Sequence, residues 1–114
     1  MSGRYAVIYS PESVEDLRNI HAHIAVRLGA PKAARQQVAQ IRDAIRGLER
    51  LPLRHPLTAQ RSLADAGIRR MNVGNYAVFY VADEDAAEVV VARILYGGRD
   101  VGAAFEGGPA RGWS

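Results

Sequence analysis

The feature that most constrains this chain is the three-residue linker Gly29-Ala30-Pro31 between two segments of helical apolar period. Before it, Val14, Leu17, Ile20, Ile24 and Leu28 recur at spacings of three and four, which places them on one face of a helix. After it, Ala34, Val38, Ile41, Ile45 and Leu48 follow at four, three, four and three, a narrow seam fit to pack on a neighbouring helix. With so short a connection the two helices are expected to form an antiparallel hairpin. The boundary signals agree. Ser10 can cap the first helix, Pro11 suits its first position, and Glu12, Glu15 and Asp16 sit where the helix dipole favours carboxylates. Gly29 permits the left-handed turn that ends it, and Pro31 opens the second.

The remaining segments change period from helical to alternating. "RYAVIYS" (4–10) is β-branched and aromatic and reads as a strand. Residues 51–67, interrupted by Pro52 and Pro56, read as a loop with a short edge strand near Leu63. "IRRMNV" (68–73), the pair Gly74-Asn75 and "YAVFYVA" (76–82) carry a two-residue hairpin signal, and "EVVVARILY" (88–96) is a third strand. Strict alternation puts Val90, Ala92, Ile94 and Tyr96 on one face of that strand and Val89, Val91, Arg93 and Leu95 on the other. The expected fold is α+β: an N-terminal strand, an antiparallel two-helix hairpin, then a three-stranded antiparallel meander. The helices should cover one sheet face. The other should stay partly open, carrying Arg93 and one of Arg69 and Arg70. Residues 1–101 make a single domain, and the Gly-rich 102–114 a flexible tail.

Composition narrows the function classes. The 114 residues suffice for one core, and 48% hydrophobic against 24% charged is globular composition. There is no apolar run of membrane-spanning length and no signal-peptide pattern, and cysteine is absent, which removes disulfides and thiolate chemistry. A cytoplasmic location is the expectation. The net charge of +3 is too small to announce a nucleic-acid binder. Of the fifteen basic residues only Lys32 is lysine, and arginine suits bidentate pairing with carboxylate or phosphate.

His21 and His23 are two apart on a helix, so they face different ways and cannot share a metal well. No phosphate-cradling loop follows a strand with the right spacing. No metal and no cofactor are therefore expected. Arg35, Arg42 and Arg46 form a stripe beside the second helix's seam, either a solvated face or an electrostatic footprint for an acidic protein partner or for DNA held by a target. Trp113 in the tail is a further candidate anchor for a partner.

The segments "YSPESVEDLRNIHAHIA", "AIRGLERLP", "IRRMNVGNYAVFYVAD" and "VVVARILYGGRD" together resemble the ParE/RelE superfamily of bacterial toxins, over roughly residues 4–101. The resemblance lies in their order: a strand ending in Ser-Pro, an Asp-Leu helix, a helix ending in Leu-x-x-x-Pro, an Arg-bearing strand before Tyr-x-x-x-Tyr, and a closing strand ending in Arg-Asp. It implies a toxin held inactive by an antitoxin in a hetero-oligomer. RelE-like members cleave messenger RNA on the ribosome; ParE-like members share the fold and poison DNA gyrase.

The cleaving branch works with Lys and Arg on the open sheet face and a tyrosine near the C-terminus. By motif, its lysine position falls on Ile68, an arginine position on Ala77, and the tyrosine on Phe105, which has no hydroxyl. Arg70 and Arg99 keep the positive charge. Cations without proton-transfer groups favour the ParE branch: no enzyme, no catalytic residue, gyrase as target, and no sequence-specific contact with nucleic acid. The alternative is a ribosome-dependent mRNA interferase. Arg70, Arg93 and Arg99 are the candidates for contact with antitoxin or target. For Arg99 the other reading is a hinge residue paired with Asp100 or with a helix C-terminus, and for Arg93 an internal ion pair.

Overall fold

The computed structural model describes residues 4–97 and Phe105. Strand β1 (Ala6–Tyr9) leads into helix α1 (Pro11–Ala22), which continues as a π-helical turn, His23–Arg27. Helix α2 (Pro31–Arg46) ends in a 3₁₀ turn, Gly47–Glu49. A short helix α3 (Arg61–Asp65) precedes β2 (Arg69–Val73), β3 (Tyr76–Asp83) and β4 (Glu88–Tyr96). The sheet order is β1-β4-β3-β2, with β1 parallel to β4 and the other pairs antiparallel. The α+β architecture, the helix hairpin and the meander stand as the sequence reads them.

The boundary signals act as expected. Ser10 is the N-cap of α1: its Oγ accepts from the Ser13 N–H at 3.0 Å. Gly29 takes φ +64 after the π turn. At the β2–β3 hairpin Gly74 takes φ +59 while Asn75 stays at negative φ, the pattern of a II′ turn with glycine first.

The core between helices and sheet joins Leu17 and Ile20 of α1, Ile41 and Ile45 of α2 and Leu48 to Met71, Val73, Val78, Tyr80, Val89, Val91 and Ile94. The seam on α2 is buried as its spacing predicts, with Ala34, Ile41 and Ile45 fully enclosed. The α1 face departs from expectation at both ends. Val14 borders solvent, and the π turn adds a residue per turn that rotates Leu28 out, to 63% exposed.

Three further expectations are corrected. The edge strand near Leu63 is helix α3, with Leu63 buried; the strand-like pairing lies earlier, at a single Leu57–Arg69 bridge. Flanking bonds run from Thr58 N–H to the Ile68 carbonyl and from Arg70 N–H to the Pro56 carbonyl. Pro56 has no N–H to give, so the pairing cannot extend into a strand.

Alternation along β4 also fails. Phe79 pairs with Arg93 but Tyr80 pairs with Val91, so Ala92 is the extra residue of a β-bulge. Val89, Val91 and Ile94 consequently face the helices, while Ala92 and Leu95 face the other way. Third, that other sheet face is covered rather than open. Leu63, Ile68, Ala77, Phe79, Ala92, Leu95 and Phe105 form a second buried cluster over it.

Candidate functional site

The second sheet face is the surface on which the cleaving chemistry would be mounted. β3 turns Ala77 and Phe79 onto it by simple alternation, and β2 brings Ile68, just before it, to the same side. Ile68 and Phe79 are fully buried, Ala77 is 1% exposed and Phe105 8%. The Phe105 ring meets Phe79 edge-on, with centroids 5.9 Å apart and planes at 82°. The three positions that lack the expected lysine, arginine and tyrosine therefore belong to one packed apolar cluster. A lysine or arginine at Ile68 or Ala77 would have to bury a charge there, and the residues present pack against their neighbours instead.

Arg70 lies at the rim of this cluster. Its guanidinium carbon stands 5.5 Å from the Phe79 ring centroid, and Nε donates to Asn72 Oδ1 at 3.0 Å. It is half-buried, with its guanidinium over an aromatic face. Arg69, its neighbour, points the opposite way and donates from Nη1 to the His55 carbonyl at 2.7 Å. Arg99 lies outside the described residues, as does the 102–114 tail apart from Phe105.

Arg93 is held inside the fold. β1 stops pairing at Val91, and the first turns of α1 take over the exposed edge of β4. Ser10 N–H donates to the Val91 carbonyl and its hydroxyl to the Ala92 carbonyl, at 2.9 and 2.8 Å. Asp16 finishes the edge: Oδ2 accepts from the Ile94 N–H at 2.9 Å and from Arg93 Nε at 2.8 Å, while Oδ1 accepts from Arg93 Nη2 at 2.8 Å. The bidentate fork fixes the guanidinium, and bonding to Asp16 holds its pKa above the ordinary arginine value despite the opposing effect of burial. Sequence reasoning gave Arg93 two readings, and the internal pair is the one made. The signal was present in Ser10, Ser13 and Asp16, short polar residues every third position beside the apolar stripe of α1.

On the helix side a groove of about 360 Å³ runs between α1, α2 and the end of β1, lined by Tyr9, Val14, Leu17, Arg18, His21, Val38 and Arg42. Arg42 stands over the Tyr9 ring at 6.0 Å. Burial raises the Tyr9 pKa, and Arg42 and Arg46 act against that shift. Of the expected arginine stripe, Arg42 thus rims the groove, Arg46 pairs with Asp43 at 2.8 Å, and Arg35 is exposed. Among the described residues no three His, Asp or Glu side chains are arranged to hold a metal ion, and no helix is long and apolar enough to cross a membrane.

The chain matches the family described as the ParE toxin of the type II toxin–antitoxin system, parDE, over residues 7–101. It belongs to that family. Three solved structures of related toxins share the fold. The chromosomal ParDE toxin–antitoxin system of P. aeruginosa matches at 17% identity and a TM-score of 0.69, covering 83% of this chain and 98% of that one. The toxin–antitoxin complex RelBE2 of Mycobacterium tuberculosis matches at 25% identity and 0.58, covering 82% and 98%. The archaeal RelE–RelB complex of Pyrococcus horikoshii matches at 19% identity and 0.51, covering 88% and 100%. No functionally curated protein matches significantly. This ParE-family chain is a type II toxin of the ParE/RelE superfamily.

Proposed function

We propose that this toxin acts by binding rather than cutting: it inhibits DNA gyrase, is no ribonuclease, and is neutralised by a cognate antitoxin seated in the groove between the helix hairpin and β1. The observation that carries the reading is the apolar cluster of Ile68, Ala77 and Phe105 on the face where RelE-like enzymes resemble one another in their basic and tyrosyl groups. One absent acid or base costs about 10²–10⁴ in rate, and the absence of several leaves no practical nuclease. Inhibition by binding requires a higher affinity for one state of the target, here gyrase holding cleaved DNA.

The antitoxin reading draws on the complexes formed by the similar proteins and on the groove itself. Its apolar floor and its rim of Arg18 and Arg42 suit an acidic amphipathic segment. Arg70 and Arg99 remain contact candidates. A gyrase acting in the cytoplasm requires the toxin there too. The test is a supercoiling assay with purified gyrase and relaxed plasmid. Inhibition with accumulation of linear DNA supports the proposal; full supercoiling activity at excess toxin overturns it.

A further inference from the structure

We propose that the tip of the helix hairpin, Val26 and Leu28 framed by Arg27, Lys32 and Arg35, is the knob that enters an apolar slot rimmed by carboxylates on the toxin's protein target. The inference rests on the gyrase reading above and adds the surface through which it operates.

Three observations converge at this tip. The first is apolar exposure. Val26 is 76% exposed and Leu28 63%, although Leu17 and Ile20 on the same helical run are buried. The second is backbone geometry. The π turn closes through Leu28 N–H to the His23 carbonyl at 3.1 Å, and Ala30 N–H reaches back to the Ile24 carbonyl at 3.0 Å. A π turn is rarer and less favourable than the α turn it replaces, and such turns recur at functional sites. Here it rotates Leu28 away from the core that its period would have joined. The third is charge. From residue 17 to residue 42 there is no Asp or Glu, while Arg18, Arg27, Lys32, Arg35 and Arg42 all lie in that span. The rest of the chain holds ten cations against twelve carboxylates, so the excess positive charge lies in residues 17–42, the stretch that contains the hairpin's tip. Arg27, Lys32 and Arg35 are exposed, and none is in an ion pair among the described residues.

The shape selects the occupant. A short wrapping segment needs a groove, which the helices offer beside Tyr9. The tip instead presents Val26 and Leu28 outward, so it suits a concavity preformed on a larger folded partner, with acidic groups opposite its cations. Two exposed aliphatics at its centre favour protein over a phosphate backbone, which offers them nothing.

The test uses the full chain, wild type and as the double variants Val26→Ser/Leu28→Ser and Arg27→Glu/Lys32→Glu. Half-inhibitory concentrations in gyrase supercoiling are read beside thermal melts and anisotropy of a fluorescent mixed-sequence duplex. Each double variant should raise the half-inhibitory concentration at least about tenfold, the scale of a lost interface anchor, with the melt unchanged. Lys32→Glu alone serves if a double variant fails to fold, since a carboxylate is favoured in the first turn of α2. Unchanged inhibition by folded variants overturns the knob. Duplex binding by the wild type that the variants lose also overturns it, in favour of DNA. A wild type without effect on gyrase removes the gyrase reading itself, and the knob with it.

Discussion

Replacing Arg93 with alanine asks whether this guanidinium holds the fold together or waits for a partner. It makes two hydrogen bonds to Asp16, whose side chain is only 9% exposed. Removing one member of a buried pair costs about 3–5 kcal/mol, because the remaining charge is left uncompensated. Arg93 itself is 24% exposed, and Asp16 would keep the Ile94 N–H, which places the loss at the low end, about 3 kcal/mol. Against a total stability of about 5–15 kcal/mol that is a large fraction. For a domain of this size it lowers the melting temperature by roughly 10–20 °C. Urea titration followed by far-UV circular dichroism measures it. Asp16→Asn, Arg93→Gln and their double variant close a cycle whose coupling should be about 2 kcal/mol. A loss below about 1 kcal/mol for Arg93→Ala, with no coupling, would refute the structural role and return Arg93 to the contact surface.

Three other outcomes follow from the packing and titration chemistry. Phe105→Ala should cost about 2–3 kcal/mol in urea unfolding, below a central phenylalanine because the second cluster is small, and should raise binding of an apolar dye. Burial raises the pKa of Tyr80 above 10.0, with Arg69 and a backbone hydrogen bond opposing, and burial also raises Tyr76 and Tyr9. A raised folded-state pKa gives stability that is complete below the unfolded value and lost as pH climbs through the folded one. Urea midpoints should therefore hold up to about pH 10 and fall beyond it, tyrosinate absorbance rising with the loss of structure; Tyr80→Phe should lessen the fall. Ala87 sits at φ +53, so Ala87→Gly should leave stability unchanged or raise it by up to about 0.5 kcal/mol, while Ala87→Val should cost more than about 1 kcal/mol, both by thermal melt.

What the sequence discloses and what it hides divide along physical lines. Regular elements announce themselves through periodicity and punctuation. Ser10-Pro11, Gly29, Pro31 and Gly74 mark boundaries within a residue or two, and β4 spans the residues that its β-branched run suggests. The bulge at Ala92 is silent, because an inserted residue breaks the two-residue period without leaving a glycine or proline to show it. The π turn is equally silent, and a periodic stripe carries Leu28 inward on paper while the backbone turns it outward. Helix α3 is too short for its period to register against the prolines before it. At the candidate site, Ile68, Ala77 and Phe105 are legible as departures from a motif. Their meeting in one cluster is a long-range fact of β2, β3 and the chain beyond β4. Asp16 read as a helix-dipole carboxylate, and its larger task, finishing the edge of β4, depends on where β1 stops.

Messenger RNA in stalled ribosome complexes, incubated with the purified toxin and mapped by primer extension, gives the most direct measurement of whether this protein holds or cuts. A toxin that acts by holding leaves transcripts whole at every concentration that inhibits gyrase. Defined cleavage at the ribosomal A site, lost on Arg70→Ala in a folded protein, would contradict it.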